Sequence, residues 1–230
     1  MTEPFIRHYQ SQDRDAVRRI CYETGMMGAS IAPQYRDFES WADCLTAYYT
    51  DAEPEHAQVV VSDGEVVGYL LSTSNARRVW NPTGIAIKHC LTRGVCFRPG
   101  TSGFYFRSLA DFARDVSAPS RPKVDLDRYP GHTHSNLTAK ARRGGKGTEL
   151  FFRLYDQLKA EGVPGMHAEV MLENERTLKW AEKVLGYRRH GEPYPLPGLR
   201  MADGSRVHIQ MILLDLETWV SGAWKERPPG

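Results

Sequence analysis

Apolar residues recur along this chain with two alternating periods. One is about two residues and the other about three and a half, the signature of an α/β protein. Ile6 to Tyr9 predicts a short first strand. Asp13 then stands as an N-cap before a helix with Val17, Ile20 and Cys21 on one face. Trp41, Leu45, Tyr48 and Tyr49 recur at helical spacing and predict a second helix over residues 38–50. Val59, Val60 and Val61 run into Asp63-Gly64, and Val66, Val67, Tyr69 and Leu71 run out. Asp-Gly between β-branched runs supplies the positive φ angles of a two-residue hairpin turn.

Residues 75–125 carry a weaker pattern. Asn81-Pro82, Arg98-Pro99-Gly100 and Ala118-Pro119 punctuate the stretch, and helical pieces fit over 84–93 and 103–116. It is too short to hold an independent core and reads as a helical insertion, between the third and fourth strands, packed on the main domain. From Pro130 the order becomes strand (His132 to Ala139), glycine-rich turn (Arg142 to Gly147) and helix. Leu150, Phe151, Leu154, Tyr155 and Leu158 form that helix's apolar face, which stops near Gly162-Val163-Pro164. Met166 to Met171 is the next strand, and Asn174 opens a helix with Leu178, Ala181, Val184 and Leu185 inward. Tyr187 begins a further strand and Val207 to Leu214 forms the last. Residues 1–220 are thus expected to be one domain, with a frayed tail over 221–230.

Bulk composition narrows the function classes. Hydrophobic residues make up 41% of the 230 and charged residues 25%, as in globular proteins. A formal net charge of +2 gives no global attraction to nucleic acid, so any anion site must be local. Cys21, Cys44, Cys90 and Cys96 lack C-x-x-C spacing and zinc-finger partners, which points to free thiols. The start has no signal-peptide pattern and no apolar run approaches membrane-spanning length. A cytoplasmic location without membrane contact is expected.

The chemistry concentrates in Arg142-Arg143-Gly144-Gly145-Lys146-Gly147-Thr148, between a strand and an amphipathic helix. A helix N-terminus offers backbone N–H groups and a partial positive charge to anions, and glycines let the backbone wrap a phosphate. Lys140, Arg142, Arg143 and Lys146 add cations, so the segment is a candidate pyrophosphate cradle. It is not a P-loop, because Gly147 follows Gly145-Lys146 and Lys140 stands five places before Gly145. Nor is it a dinucleotide fingerprint, because Leu150 occupies the third glycine position. What remains is R-x-x-G-x-G, spelled Arg142, Gly145, Gly147. The plainer reading of the same residues is a solvated basic turn.

This pattern resembles the pyrophosphate motif, Q/R-x-x-G-x-G/A, of the GNAT family of acyl-CoA-dependent N-acetyltransferases. The helix opening at Asn174 and closing with Leu185-Gly186-Tyr187 resembles the family's following helix and strand. His132-Thr133-His134-Ser135-Asn136-Leu137 is similar to a strand of the subgroup related to the acetyltransferase-like domain of bacterial O-GlcNAcases. The resemblance covers most of the chain except residues 75–125 and the tail. It implies a mixed, mostly antiparallel sheet flanked by helices, with two strands splayed into a cleft. It also implies acetyl-CoA as co-substrate and direct acetyl transfer to a primary amine of a small molecule or peptide. Leu137, Thr138 and Ala139 would then pair with the pantetheine arm, the amides from Arg142 to Thr148 (Arg142, Arg143, Gly144, Gly145, Lys146, Gly147, Thr148) would hold the pyrophosphate, and Asn174 would sit near the pantetheine.

Transfer to an amine needs a base for the ammonium proton and stabilisation of the departing thiolate. The family often carries a Tyr as general acid seven residues after the Asn, and here that position is Ala181. Asp127, Tyr129, His132 and His134 are base candidates, with His134 and Asp127 favoured. The plainer readings are a loop cap for Asp127, and metal binding or bonds within the sheet for the two histidines. No metal is expected. Two other functions stay open: a catalytically silent CoA-binding regulatory module of the same fold, and a nucleic-acid module, disfavoured by the low net charge. A homodimer is an open option.

Overall fold

The computed structural model describes residues 3–115, 120–141 and 145–222. Among them seven strands form one sheet: β1 (Phe5–His8), β2 (Gln58–Ser62), β3 (Glu65–Thr73), β4 (Gly131–Leu137), β5 (Gly165–Met171), β6 (Arg188–Arg200) and β7 (Arg206–Asp215). Their order across the sheet is β1-β2-β3-β4-β5-β7-β6. Every neighbouring pair is antiparallel except β4 and β5. The β2–β3 turn is the one that Asp-Gly predicts, with Asp63 at φ 51° and Gly64 at φ 79°.

Helices cover both faces, and this divides alternate strand residues between two cores. Val60, Leu70, Met166 and Ile212 pack with Leu150 and Leu154 of α6 (Lys146–Ala160) and Leu178 of α7 (Glu175–Lys183). On the other face Val59, Val61, Tyr69 and Leu71 pack with Val17 and Ile20 of α1 (Arg14–Thr24) and with Tyr49. Full burial of each such side chain contributes about 1.5–3 kcal/mol. The run Val59-Val60-Val61 is apolar throughout because neither face of its strand meets water.

Local chemistry shifts some predicted boundaries. Asp13 precedes α1 but does not cap it with its side chain. A 3-10 turn at Ser11–Asp13 starts the helical path earlier, so the Asp13 carboxylate reaches back to the Gln10 amide (2.8 Å) and to Arg7 (2.6 and 2.8 Å). The helix expected over 38–50 is three pieces: α2 (Phe38–Ala42), a π turn (Asp43–Ala47) and α3 (Tyr48–Asp51). Asp43, at the start of the π turn, bonds both to buried Arg18 of α1 and to His89 of α4 (Pro82–Arg93), the latter at 2.9 Å.

Among the described residues two α-helices lie between β3 and β4. Asn81-Pro82 opens α4, with the Asn81 side chain accepting from the Thr83 amide (2.9 Å) and Pro82 at the first helical position; Gly94 closes it at φ 63°. The second, α5 (Ser102–Arg114), packs on β6. Gly198 permits this contact, because a Cβ there would stand 2.2 Å from Ser108 Oγ and 2.7 Å from the Phe104 ring. Buried Asp111 fixes the same contact, accepting from the Gly198 amide (2.8 Å) and from Arg200 (2.6 and 2.8 Å). β6 is an edge strand carrying Pro193, Pro195 and Pro197, and its register against β7 slips twice. Among the described residues no helix is long and apolar enough to cross a membrane.

Candidate functional site

The sheet opens in the middle. β4 and β5 share two register pairs, Gly131↔Met166 and His132↔His167, although each strand is seven residues long. Beyond those pairs the strands part and leave a gap. Thr138 donates its amide to Val67 of β3 (3.0 Å), so by alternation Ser135 directs its backbone groups to the gap. Thr138 itself is engaged, since its carbonyl accepts from the Ala141 amide at 3.1 Å. Leu137 packs its side chain against the core beneath α6, and Ala139 lies in the turn that follows β4.

The N-terminus of α6 follows this turn. Gly145 is its N-cap at φ 70°, and a Cβ there would meet nothing within 4 Å. Gly147 differs, since its Cβ would stand 2.9 Å from Leu137 Cδ1. The first intrahelical bond runs from the Glu149 amide to the Gly145 carbonyl (3.1 Å). The amides of Lys146, Gly147 and Thr148 therefore lie ahead of the helical ladder, where an anion is favoured. Lys146 turns its ammonium to Glu149 (3.0 Å), and the Thr148 hydroxyl accepts from the Trp180 indole (3.2 Å). Arg142, Arg143 and Gly144 lie outside the described residues. Asn174 caps α7, its side chain accepting from the Thr177 amide at 3.3 Å. Ala181 is buried in the core beneath that helix, 2% exposed.

Where β4 and β5 part, the face towards α1 and α3 carries a cluster of histidines and tyrosines. Tyr49 sits 2.8 Å from Nδ1 of His132, and the His132 and His167 rings lie 4.9 Å apart. Nδ1 of His167 meets the Tyr129 carbonyl at 2.9 Å. A carbonyl only accepts, so that nitrogen carries the hydrogen and Nε2 keeps its lone pair. Nδ1 of His134 lies 3.3 Å from the Tyr69 hydroxyl. Burial pushes His134 down to about 4. Burial also lowers His132 well below the ordinary histidine value, assisted by His167, His134 and the positive charge of Arg121. His167 is lowered by burial too, against the opposing effect of its bond to Tyr129. All three rings are neutral at pH 7.

Across the gap Glu169 of β5 completes the cluster. Its Oε1 accepts from the Tyr194 hydroxyl of β6 and lies 2.9 Å from Nε of Arg121. Burial, with the Glu169 charge next, raises the Tyr194 phenol, and Glu169 also contributes to the raised Tyr49. Periodicity did not single out Glu169, Tyr194 or Arg121, because they meet through the β5–β7–β6 pairing and a loop. Asp127 lies apart from them in the turn before β4. Its side chain is 89% exposed and pairs with Arg77 at 2.9 Å. Tyr129 bonds to Asp215 (2.9 Å) and Arg188 (2.5 Å). Among the described residues one trio, Glu53, Glu55 and His56, has cation-binding spacing. The Glu53 carboxylate already accepts from Tyr48 (2.8 Å), Thr73 (2.5 Å) and Ser74 (3.1 Å) and ties the end of β3 to the neighbouring helix.

No protein-family profile matches the chain. Similar solved structures do exist. A protein crystallised as SsHAT superposes with a TM-score of 0.63 at 20% identity, covering 94% of this chain and 99% of that one. A GNAT superfamily phosphinothricin acetyltransferase from Sinorhizobium meliloti, solved in complex with AcCoA, gives 0.56 at 14% identity, covering 100% of this chain and 94% of that one. YncA from Salmonella typhimurium, solved with its cofactor acetyl-CoA, gives 0.56 at 16% identity, covering 96% and 99%. The fold is that of the GNAT N-acetyltransferases: a mixed, mostly antiparallel seven-stranded sheet flanked by helices.

Proposed function

We infer that the chain transfers an acetyl group from acetyl-CoA to a primary amine. The observation that carries this reading is the gap between β4 and β5. The glycine-lined start of α6 follows one of its edges, and the histidine cluster stands where the gap closes. Two neighbours of this fold were solved with acetyl-CoA, which supports the same co-substrate here. The finer likeness to the acetyltransferase-like domain of O-GlcNAcases rests on the β4 sequence alone.

The residues fit such a co-substrate. A Cβ at Gly147 would crowd Leu137, so glycine there lets the start of α6 lie close against the end of β4, and Gly145 adopts a φ that favours glycine with open space beside it. The Lys146, Gly147 and Thr148 amides would hold the pyrophosphate, and backbone groups of β4 would take the pantetheine as an added strand. Asn174, already a helix cap, would serve from the far side of the gap.

In the transfer, the acceptor ammonium gives one proton to a base and its lone pair forms a C–N bond at the thioester carbon. The C–S bond breaks with its pair on sulphur. The amide nitrogen then loses its second proton, which passes to that sulphur, and a free thiol and a neutral amide result. His134 is the proposed base. For Nε2 to take the proton, Nδ1 must carry hydrogen and donate to Tyr69. Ala181 offers no acid, so the proton for sulphur comes from the nitrogen itself or through water.

The test is calorimetry with acetyl-CoA, CoA and NADPH at moderate salt. Binding of the two CoA species alone supports the reading, and absence of acetyl-CoA binding by folded protein overturns it.

A further inference from the structure

We propose that the acceptor is a zwitterion, a free amino acid whose ammonium is held by Glu169 and whose carboxylate is held by Arg121. This rests on the acetyl-transfer reading and names its acceptor class. The two side chains form an ion pair at 2.9 Å, with 59% of Arg121 and 32% of Glu169 exposed. A pair this open gains little from its own Coulomb attraction. It is nevertheless built, because Tyr194 from another strand also bonds the same Glu169 oxygen. Both contacts fall on Oε1, and Oε2 takes part in neither.

Position makes the pair relevant to the acceptor. Glu169 lies two residues beyond His167, past the last β4–β5 register pair, so it projects on the same face as His167 beside the open part of the gap. Its charge acts on Tyr49 and His167, and the charge of Arg121 acts on His132 and His167. The carboxylate and the guanidinium therefore border the site where the proposed transfer takes place.

An amine alone would satisfy Glu169 and compete with Arg121 for it, leaving the guanidinium without a counter-charge. A carboxylate alone would do the reverse. A molecule bearing both charges on adjacent carbons satisfies each partner at once. The planar fork of Arg121 suits a carboxylate. A peptide or an amino-acid amide presents the amine without the adjacent carboxylate and leaves Arg121 unmatched.

The test uses the full chain and its R121Q and E169Q variants. Release of CoA thiol from acetyl-CoA is followed with each of the common free amino acids and, in parallel, its amide. The expected result is a preferred amino acid with kcat/KM about tenfold or more above its amide. R121Q should lower the rate with the amino acid by about tenfold and leave the amide little changed, and E169Q should lower both. Amides preferred over acids, or R121Q lowering both equally, overturns the proposal while acetyl transfer stands. Where no pair turns over, a thermal shift with each free amino acid at millimolar concentration decides: a rise that the amide and R121Q both abolish supports the zwitterion site, and no rise overturns it. Calorimetry with acetyl-CoA on all three proteins separates this from the broader reading, since neither substitution touches the α6 cradle.

Discussion

The Tyr49 hydroxyl, carried by α3 on one side of the sheet, stands 2.8 Å from Nδ1 of His132 on β4. The bond ties the helix to the strand at the residue where β4 last pairs with β5, and it sets the plane of the His132 ring, which stacks on Tyr49 at 20°. Tyr49→Phe keeps the ring and removes the bond, leaving a buried imidazole nitrogen without its partner. The expected loss is about 1–2 kcal/mol, read from the urea midpoint, with acetyl-CoA affinity unchanged.

The proposed pyrophosphate cradle is tested by Gly147→Val. Its Cβ would start 2.9 Å from Leu137 Cδ1, so either the side chain or the start of α6 must shift. Acetyl-CoA affinity should fall by about tenfold or more, measured by calorimetry on folded protein. Unchanged affinity would count against the proposed pyrophosphate site at the start of α6.

Asn174 separates capping from binding. Asn174→Ala should cost about 1 kcal/mol of stability through the lost cap, whereas Asn174→Ser retains a capping oxygen. If Asn174 also contacts the pantetheine, the serine variant keeps its melting temperature and loses acetyl-CoA affinity. Equal affinity in the serine variant and the parent chain would confine Asn174 to its structural role.

The lowered histidines predict a pH dependence. In the unfolded chain each titrates near 6.5, whereas folded His134 titrates at about 4 and His132 and His167 are also lowered. Between those values the unfolded state binds more protons. The histidine contribution is therefore constant above about pH 6.5 and stability falls as pH drops towards 4. Urea midpoints between pH 7.5 and 5 should show this slope, and His134→Gln should reduce it by about one proton. A slope that the substitution leaves intact would mean that His134 titrates normally in the fold.

Asp111 behaves in the opposite range. Its bonds to Arg200, then the Gly198 amide, hold its carboxyl at about 2, so its contribution is full above the ordinary aspartate value and disappears as pH falls through 2. Asp111→Ala should destabilise by about 3 kcal/mol, because it strips α5 of its anchor on β6 and leaves Arg200 without its carboxylate partner. Chemical denaturation at pH 7 measures this directly.

Where a feature depends on neighbours in the chain, its residues reveal it. Asp63-Gly64 dictates its turn, Asn174 caps its helix, and the apolar stripe from Leu150 to Leu158 lies on the core as spaced. Asn81-Pro82 was harder because the same dipeptide breaks chains and opens helices; here it opens α4. The π turn at Asp43 arises from partners on α1 and α4 and has no periodic signature. His134 and His132 could be placed on one face by alternation, but what lowers their affinity for protons is burial, a property of the assembled sheet. Glu169, Tyr194 and Arg121 are distant in sequence, and only the antiparallel β5–β7–β6 order with the loop before β4 brings them together.

With only two register pairs between β4 and β5, the sheet is two leaves joined by a short seam, four strands on one side and three on the other. Continuity across it depends on side chains: Leu70 from one leaf and Met166 and Ile212 from the other share the apolar underside of α6. Apolar burial is non-directional and tolerates small rotations that a hydrogen-bond ladder would resist. The proposed co-substrate, lying along β4 as an added strand, would bridge the two leaves as a clasp. Amide exchange at Ser135 should report the clasp directly, fast in the empty protein and slowed when the seam is filled.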